Sequence, residues 1–92
     1  MPLTFAWDPK KAAANLKKHG VSFEEAATAF ADPLSLTISD PDHSEAEERL
    51  ILVGLSFFSR LVVVVHTEVG ETIRIISARP ATQQERKNYE ET

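Results

Sequence analysis

Arg60-Leu61-Val62-Val63-Val64-Val65-His66-Thr67-Glu68-Val69-Gly70-Glu71-Thr72-Ile73-Arg74-Ile75-Ile76-Ser77-Ala78-Arg79 is the stretch whose reading decides the fold. Leu61 to Val65 is apolar at every position and only strand-sized, so Arg60 to His66 predicts a central strand covered on both faces. Glu68-Val69-Gly70-Glu71 supplies a hairpin turn with a glycine for positive φ. Thr72 to Ala78 returns as the next strand, and Arg79-Pro80 breaks it. Strand alternation sends Arg74, Ile76 and Ala78 to one face and Ile73, Ile75, Ser77 and Arg79 to the other.

Working outward, Arg49 to Leu55 is a further strand, joined to the hairpin through Ser56-Phe57-Phe58-Ser59. Leu34-Ser35-Leu36-Thr37-Ile38-Ser39 alternates strictly and predicts a strand with one buried face. Asp40 to Glu48 between them is a polar, acidic loop. At the start of the chain, Leu3 to Trp7 reads as a strand. Asp8-Pro9 then opens a helix to about His19, because Asp8 can cap free N–H groups and Pro9 suits the first helical position. Gly20 is its left-handed stop. Ser22 with Glu25 forms a capping box for a second helix to about Ala31, and Thr82 with Glu85 forms another for a terminal helix to about Glu91. The order β-α-α-β-β-β-β-α predicts an α+β domain over residues 1–92, built on a small antiparallel sheet.

Composition narrows the chemistry. With 92 residues and no cysteine, disulfides, thiolate metal sites and cysteine nucleophiles are excluded. No apolar run is long enough to span a membrane, and Met1-Pro2-Leu3-Thr4 lacks a signal-peptide pattern, so a cytoplasmic location is expected. His19, His43 and His66 fall on three different elements with no zinc-like spacing, and Gly20, Gly54 and Gly70 make no phosphate loop. Neither metal nor cofactor is expected. The net charge of −4 argues against a nucleic-acid binder until it is divided along the chain. Residues 1–33 carry four acids and four bases, 34–72 seven and two, and 73–92 three and four. The deficit lies in the middle segment, so a local basic site is compatible with it.

Two constellations could carry chemistry. On the first helix Lys10, Lys11, Lys17 and Lys18 share an arc of about 120°, with Asn15 and His19 at its seam. This is either a solvated lysine face with a capping histidine or a phosphate-contacting stripe. At the other end of the chain, Arg79 sits where the last strand meets the last helix. A guanidinium there holds a planar anion, either a phosphate or the carboxylate of Glu85 or Asp8. The terminal helix has almost no apolar stripe. Glu85, Arg86 and Tyr89 lie together on it, either as base, charge and stacking ring or as a salt-bridged surface docked by Tyr89. His66 is either a buried histidine bonded to backbone or an acid–base group. Trp7 is either a core indole or a stacking platform for a base.

Phe5-Ala6-Trp7-Asp8-Pro9, then Asn15 with Lys18-His19-Gly20-Val21-Ser22-Phe23-Glu24-Glu25-Ala26, resembles the opening of the BrnT toxin family. Phe30-Ala31-Asp32-Pro33, Glu48-Arg49, Gly54, Val65 to Glu68, Arg74-Ile75-Ile76-Ser77-Ala78-Arg79, Ala81-Thr82, Glu85-Arg86 and Tyr89-Glu90 continue the likeness in order, from about residue 5 to 90. The resemblance implies a toxin of a type II toxin–antitoxin pair with a RelE-like fold. It also implies a ribonuclease that inhibits translation and a BrnA-type antitoxin that neutralises it in a 2:2 complex. DNA would be reached only through the antitoxin. Carried onto this chain by motif, the positions of interest are Lys18, His19, Arg74, Arg79, Glu85, Arg86 and Tyr89. For a metal-free ribonuclease the expected catalytic residues are Arg79, Arg74, Glu85, His19 and Tyr89, and the expected RNA-binding residues Lys17, Lys18 and Arg86. Such an enzyme needs no metal, because RNA carries its own 2′-hydroxyl nucleophile. The alternative is a non-catalytic antitoxin-binding module or corepressor. His66 and Val69 depart from the family pattern, which has a tyrosine and commonly an arginine there, so this hairpin implies an altered site.

Overall fold

The computed structural model describes residues 3–40 and 48–91. The elements are β1 (Thr4–Ala6), α1 (Pro9–His19), α2 (Phe23–Thr28), a 3-10 turn (Ala29–Ala31), β2 (Leu36–Ser39), β3 (Leu50–Leu55), β4 (Leu61–Val69), β5 (Thr72–Pro80) and α3 (Gln83–Glu90). This is the α+β order expected. Most of the acidic loop, His43 included, lies outside the described residues.

The sheet runs β1-β5-β4-β3-β2. Its last four strands form the expected antiparallel meander, and β1 adds to the β5 edge in parallel, which makes the sheet mixed. β1 and β2 are thus opposite edges, and the intervening helices carry the chain across one face. There Val21, Phe23, Ala26 and Ala29 pack on Leu52, Val62, Val64, Ile73, Ile75 and Ala78, with Phe5, Trp7 and Phe30 at the margin. Burial of a side chain such as Phe23 contributes about 1.5–3 kcal/mol. Trp7, partly buried, meets Phe23 edge-on at 6.0 Å, so the indole packs against the core.

β4 is the central strand. Val62 and Val64 face the helices, while Leu61 and Val63 are buried on the opposite face, where α3 lies. β2 departs from expectation: Leu36 is only half-buried and Ile38 is 62% exposed. α3 brings Tyr89 and Glu90 beside Leu36 and leaves Ile38 uncovered.

Local signals in the first helix act as read. Asp8 accepts the Lys10 N–H at 2.9 Å, and Gly20 at φ 72° closes the helix by donating to the Leu16 carbonyl. Asn15 then ties α1 to the sheet. Its amide donates to the carbonyls of Val21 and Ala78 and accepts from the Ala78 N–H. The side chain takes the place of a neighbouring strand beyond the end of β1, which explains a buried asparagine at the helix seam.

Candidate functional site

β5 carries the chemistry-bearing residues of the sheet, and a bulge decides where they point. Across the β4–β5 pair, Arg79 opposes Val63, Ser77 opposes Val65, Ile75 opposes His66 and Arg74 opposes Thr67, which leaves Ile76 as the extra residue. Val63 and Thr67 are four residues apart on β4 and share a face. Arg79 and Arg74 therefore project from one face, the one on which α3 lies, about 13 Å apart along the strand. Plain alternation puts them on opposite faces; the extra residue reverses the parity and corrects that expectation.

Arg79 is gripped by α3. Its Nη1 and Nη2 donate to Oε1 and Oε2 of Glu85, both at 2.8 Å, and Nη1 also donates to the Pro80 carbonyl. This is the carboxylate-holding arrangement among the alternatives for Arg79. Glu85 Oε1 accepts the Thr82 N–H as well, completing the capping box. The Arg79 hydrogen bonds draw the Glu85 carboxyl down to about 2, against a smaller upward push from burial. The same bonds push the Arg79 guanidinium up.

The far end of α3 is latched in the same polar manner. The Tyr89 hydroxyl donates to Asp32 Oδ2 at 2.5 Å, and that bond, with burial, raises Tyr89 to about 12. Burial acts to raise Asp32. The bonds from Tyr89 and from the N–H groups of Leu55 and Leu34 outweigh it and hold the carboxyl low. No residue of α3 is buried, so the helix rests on these two carboxylate contacts and its cap. Arg86 is exposed on its outer side, beside Lys87 and Glu90.

Other expected residues lie apart from this group. Lys17 and Lys18 are exposed and His19 is half-buried on α1, which packs on the core. Among the described residues no hydrogen bond or ion pair joins them to β5 or α3. His66 points into the core, with no exposure and with Phe30 edge-on at 4.8 Å. Its Nδ1 lies 3.3 Å from the Val64 carbonyl. Its Nε2 is 3.5 Å from Glu68 Oε2, too far for a hydrogen bond to form. Burial pushes the imidazole pKa down, against smaller upward pulls from the Val64 carbonyl and Glu68.

Two features escaped the sequence. Asp32 was visible only as the end of a helix. Glu25, read as a capping-box residue, accepts nothing from the Ser22 backbone, although Ser22 does cap the Glu25 N–H. Its carboxylate is 3% exposed and binds Arg60 through both oxygens, with Ser56 Oγ as a third donor at 2.8 Å. Arg60, at the start of an apolar strand, was the available signal. Among the described residues no group of three or more His, Asp or Glu is placed to hold a metal.

Comparison with known proteins adds to this geometry. The family model described as "Ribonuclease toxin, BrnT, of type II toxin-antitoxin system" matches residues 7–85. Among solved structures, the 1.1 Å crystal structure of the Brucella abortus ribonuclease toxin BrnT is similar, with 24% identity and a TM-score of 0.65. The alignment covers 89% of this chain and 100% of that one, and the likeness shows a common fold. No curated protein matches.

Proposed function

The chain belongs to the BrnT family of ribonuclease toxins of type II toxin–antitoxin systems, and on that premise we propose that it cuts RNA without a metal, through the RNA's own 2′-hydroxyl. The observation that carries the proposal is the bulge at Ile76, which turns Arg74 and Arg79 to one face of the sheet. Arg79 takes the scissile phosphate, and Arg74, about 13 Å along the strand, takes a neighbouring one.

Glu85 occupies the Arg79 fork in the free protein, so phosphate and carboxylate compete for it. Once displaced, Glu85 loses the bonds that hold its carboxyl near 2 and rises toward its ordinary value of 4.5. It is then a better base beside the phosphate it has made way for. The 2′-oxygen bonds to phosphorus and gives its proton to Glu85. The bond to the 5′-oxygen breaks, and that oxygen takes a proton from solvent. Arg79 stabilises the charge that builds on the phosphate oxygens. Arg86, exposed on α3, extends the positive field. Tyr89 holds α3 in place through Asp32.

A type II toxin has an antitoxin partner. Here we assign that role to a BrnA-type protein, which supplies any DNA contact. The filled Arg79 fork favours a second reading, in which the chain only docks its antitoxin and does no chemistry. One assay separates the two: cleavage of a short RNA by wild type and by Arg79→Ala, with folding checked by circular dichroism. Removal of the guanidinium is expected to lower kcat/KM by about 100-fold or more. Undiminished cleavage by a folded variant overturns the assignment, and intact RNA with the wild type favours the docking reading.

A further inference from the structure

We infer that Lys11, Arg49 and Arg74 form a phosphate pocket, separate from the Arg79–Glu85 fork, that takes a backbone phosphate of RNA; its RNA identity rests on the ribonuclease reading above. The three cations line one small pocket of about 40 Å³ with Asp8, Ile75 and Ile76. That space is small and lined by polar groups, so it suits the oxygens of a phosphate and not a base.

Charge is the first argument. Three cations and one carboxylate leave the lining at a formal +2, in a chain whose net charge is −4. Asp8 already accepts the Lys10 N–H through Oδ1. The other two strand arginines are matched by carboxylates, Arg60 by Glu25 and Arg79 by Glu85. Arg49, Arg74 and Lys11 make no side-chain hydrogen bond or ion pair among the described residues. Like charges that converge on one cavity in excess of its single carboxylate are electrostatically unfavourable, and an anion there relieves them.

Placement is the second argument. Leu50 opposes His66, which opposes Ile75, so one step outward sets Arg49, Thr67 and Arg74 in a row across three strands. The Ile76 bulge brings Arg74 into that row. Thr67 in the middle is 3% exposed, and its hydroxyl has no hydrogen-bond partner. A buried hydroxyl without a partner is costly unless a bound group or a shift of its neighbours satisfies it. The row lies on the same face as Arg79, so one single strand of RNA can lie along both anion sites. That favours RNA phosphate over an acidic protein segment.

The test uses the full chain, with Arg49→Ala and Lys11→Ala as variants and Lys87→Ala as the charge-matched control on α3. Inorganic phosphate is titrated into labelled protein at constant ionic strength while amide shifts are followed. A 2′-O-methyl RNA hexanucleotide, which cannot be cleaved, is titrated separately. Saturable shifts at residues 49, 67, 74 and 76 are expected with both probes. Affinity should be about tenfold weaker in Arg49→Ala, weaker in Lys11→Ala, and unchanged in Lys87→Ala. The salt slope for the hexanucleotide should fall by about 0.7 for each contact removed. Unaltered binding by both pocket variants, phosphate shifts at these residues without hexanucleotide shifts there, or tighter binding of a glutamate-rich peptide titrated in the same way each overturns the inference. If the wild type leaves cleavable RNA intact yet binds the hexanucleotide here, the ribonuclease reading fails and the pocket stands. If it cuts RNA and Arg49→Ala and Lys11→Ala bind as tightly as wild type, the pocket alone fails.

Discussion

Replacing Glu85 by Gln keeps an acceptor for the Thr82 N–H and removes the charge that Arg79 grips. Its stability cost follows from the carboxyl's displacement from 4.5 to about 2. At about 1.4 kcal/mol per pKa unit, that displacement corresponds to about 3 kcal/mol before screening. The Arg79 side chain is 41% exposed and that of Glu85 26%, so water screens the pair and about 1–2 kcal/mol is the expected contribution. The folded pKa lies below the unfolded one. The contribution is therefore fully present above about pH 4.5 and is lost as pH falls toward 2. Urea unfolding of wild type and Glu85→Gln, followed by Trp7 fluorescence, should show a gap of about 1–2 kcal/mol at pH 7. By pH 2.5 most of that gap should have closed, because wild-type Glu85 is then close to its own protonation point. A gap as large at pH 2.5 as at pH 7 refutes the reasoning, since the pair would then be held by packing and not by charge.

The same variant separates base from anchor in RNA cleavage: kcat should fall by about 100-fold or more, while KM drops because nothing competes for Arg79. Equal kcat in the two proteins removes Glu85 from the proton chemistry. Tyr89→Phe should lose about 1 kcal/mol, concentrated in α3. Hydrogen exchange should show residues 83–90 opening earlier than β4, and an unchanged α3 would mean that the Asp32 latch carries little. Gly54→Ala should destabilise by about 1–3 kcal/mol, because its Cβ would lie 2.9 Å from the Ala29 carbonyl oxygen and 3.1 Å from Leu52 and Ser35 side-chain atoms. An unchanged thermal midpoint would show that the 3-10 turn gives way at no cost.

Local physics made most of the elements legible. Asp8-Pro9 and Gly20 bracket α1 because cap chemistry needs only neighbouring residues. Leu61 to Val65 announces a central strand because burial on both faces leaves no polar position. What local rules could not supply was anything that depends on two distant segments. β1 has no sequence signal for pairing in parallel with β5. Glu25 looks like a cap because the i, i+3 rule is local, while its partners Arg60 and Ser56 lie more than thirty residues away. Asn15 and Asp32 carry short polar side chains whose partners at Ala78, Leu55 and Tyr89 appear only after the sheet has formed.

The site was legible by residue type and not by direction. Arg74 and Arg79 stood out because strand arginines need anions, yet alternation over five residues sends them apart, and only the cross-strand register restores them to one face. That register also sorts the strand cations into two kinds. Arg60 and Arg79 are paired with carboxylates from other elements, whereas Arg49 and Arg74 make no ion pair among the described residues and share their pocket with Lys11 and one carboxylate, Asp8. Net charge cannot draw this distinction, because a paired and an unpaired arginine count alike. An acidic chain can thus present a cationic patch, provided that its acids are spent elsewhere. Here seven of fourteen lie in residues 34–72, and Glu25 and Glu85 are committed to ion pairs. Under the proposed mechanism, RNA approaching this face meets the guanidiniums of Arg49 and Arg74 first and reaches Arg79 only by displacing Glu85. Recognition and access to the cutting position then become separate events, and the salt slope of binding and the kcat of Glu85→Gln report on them independently.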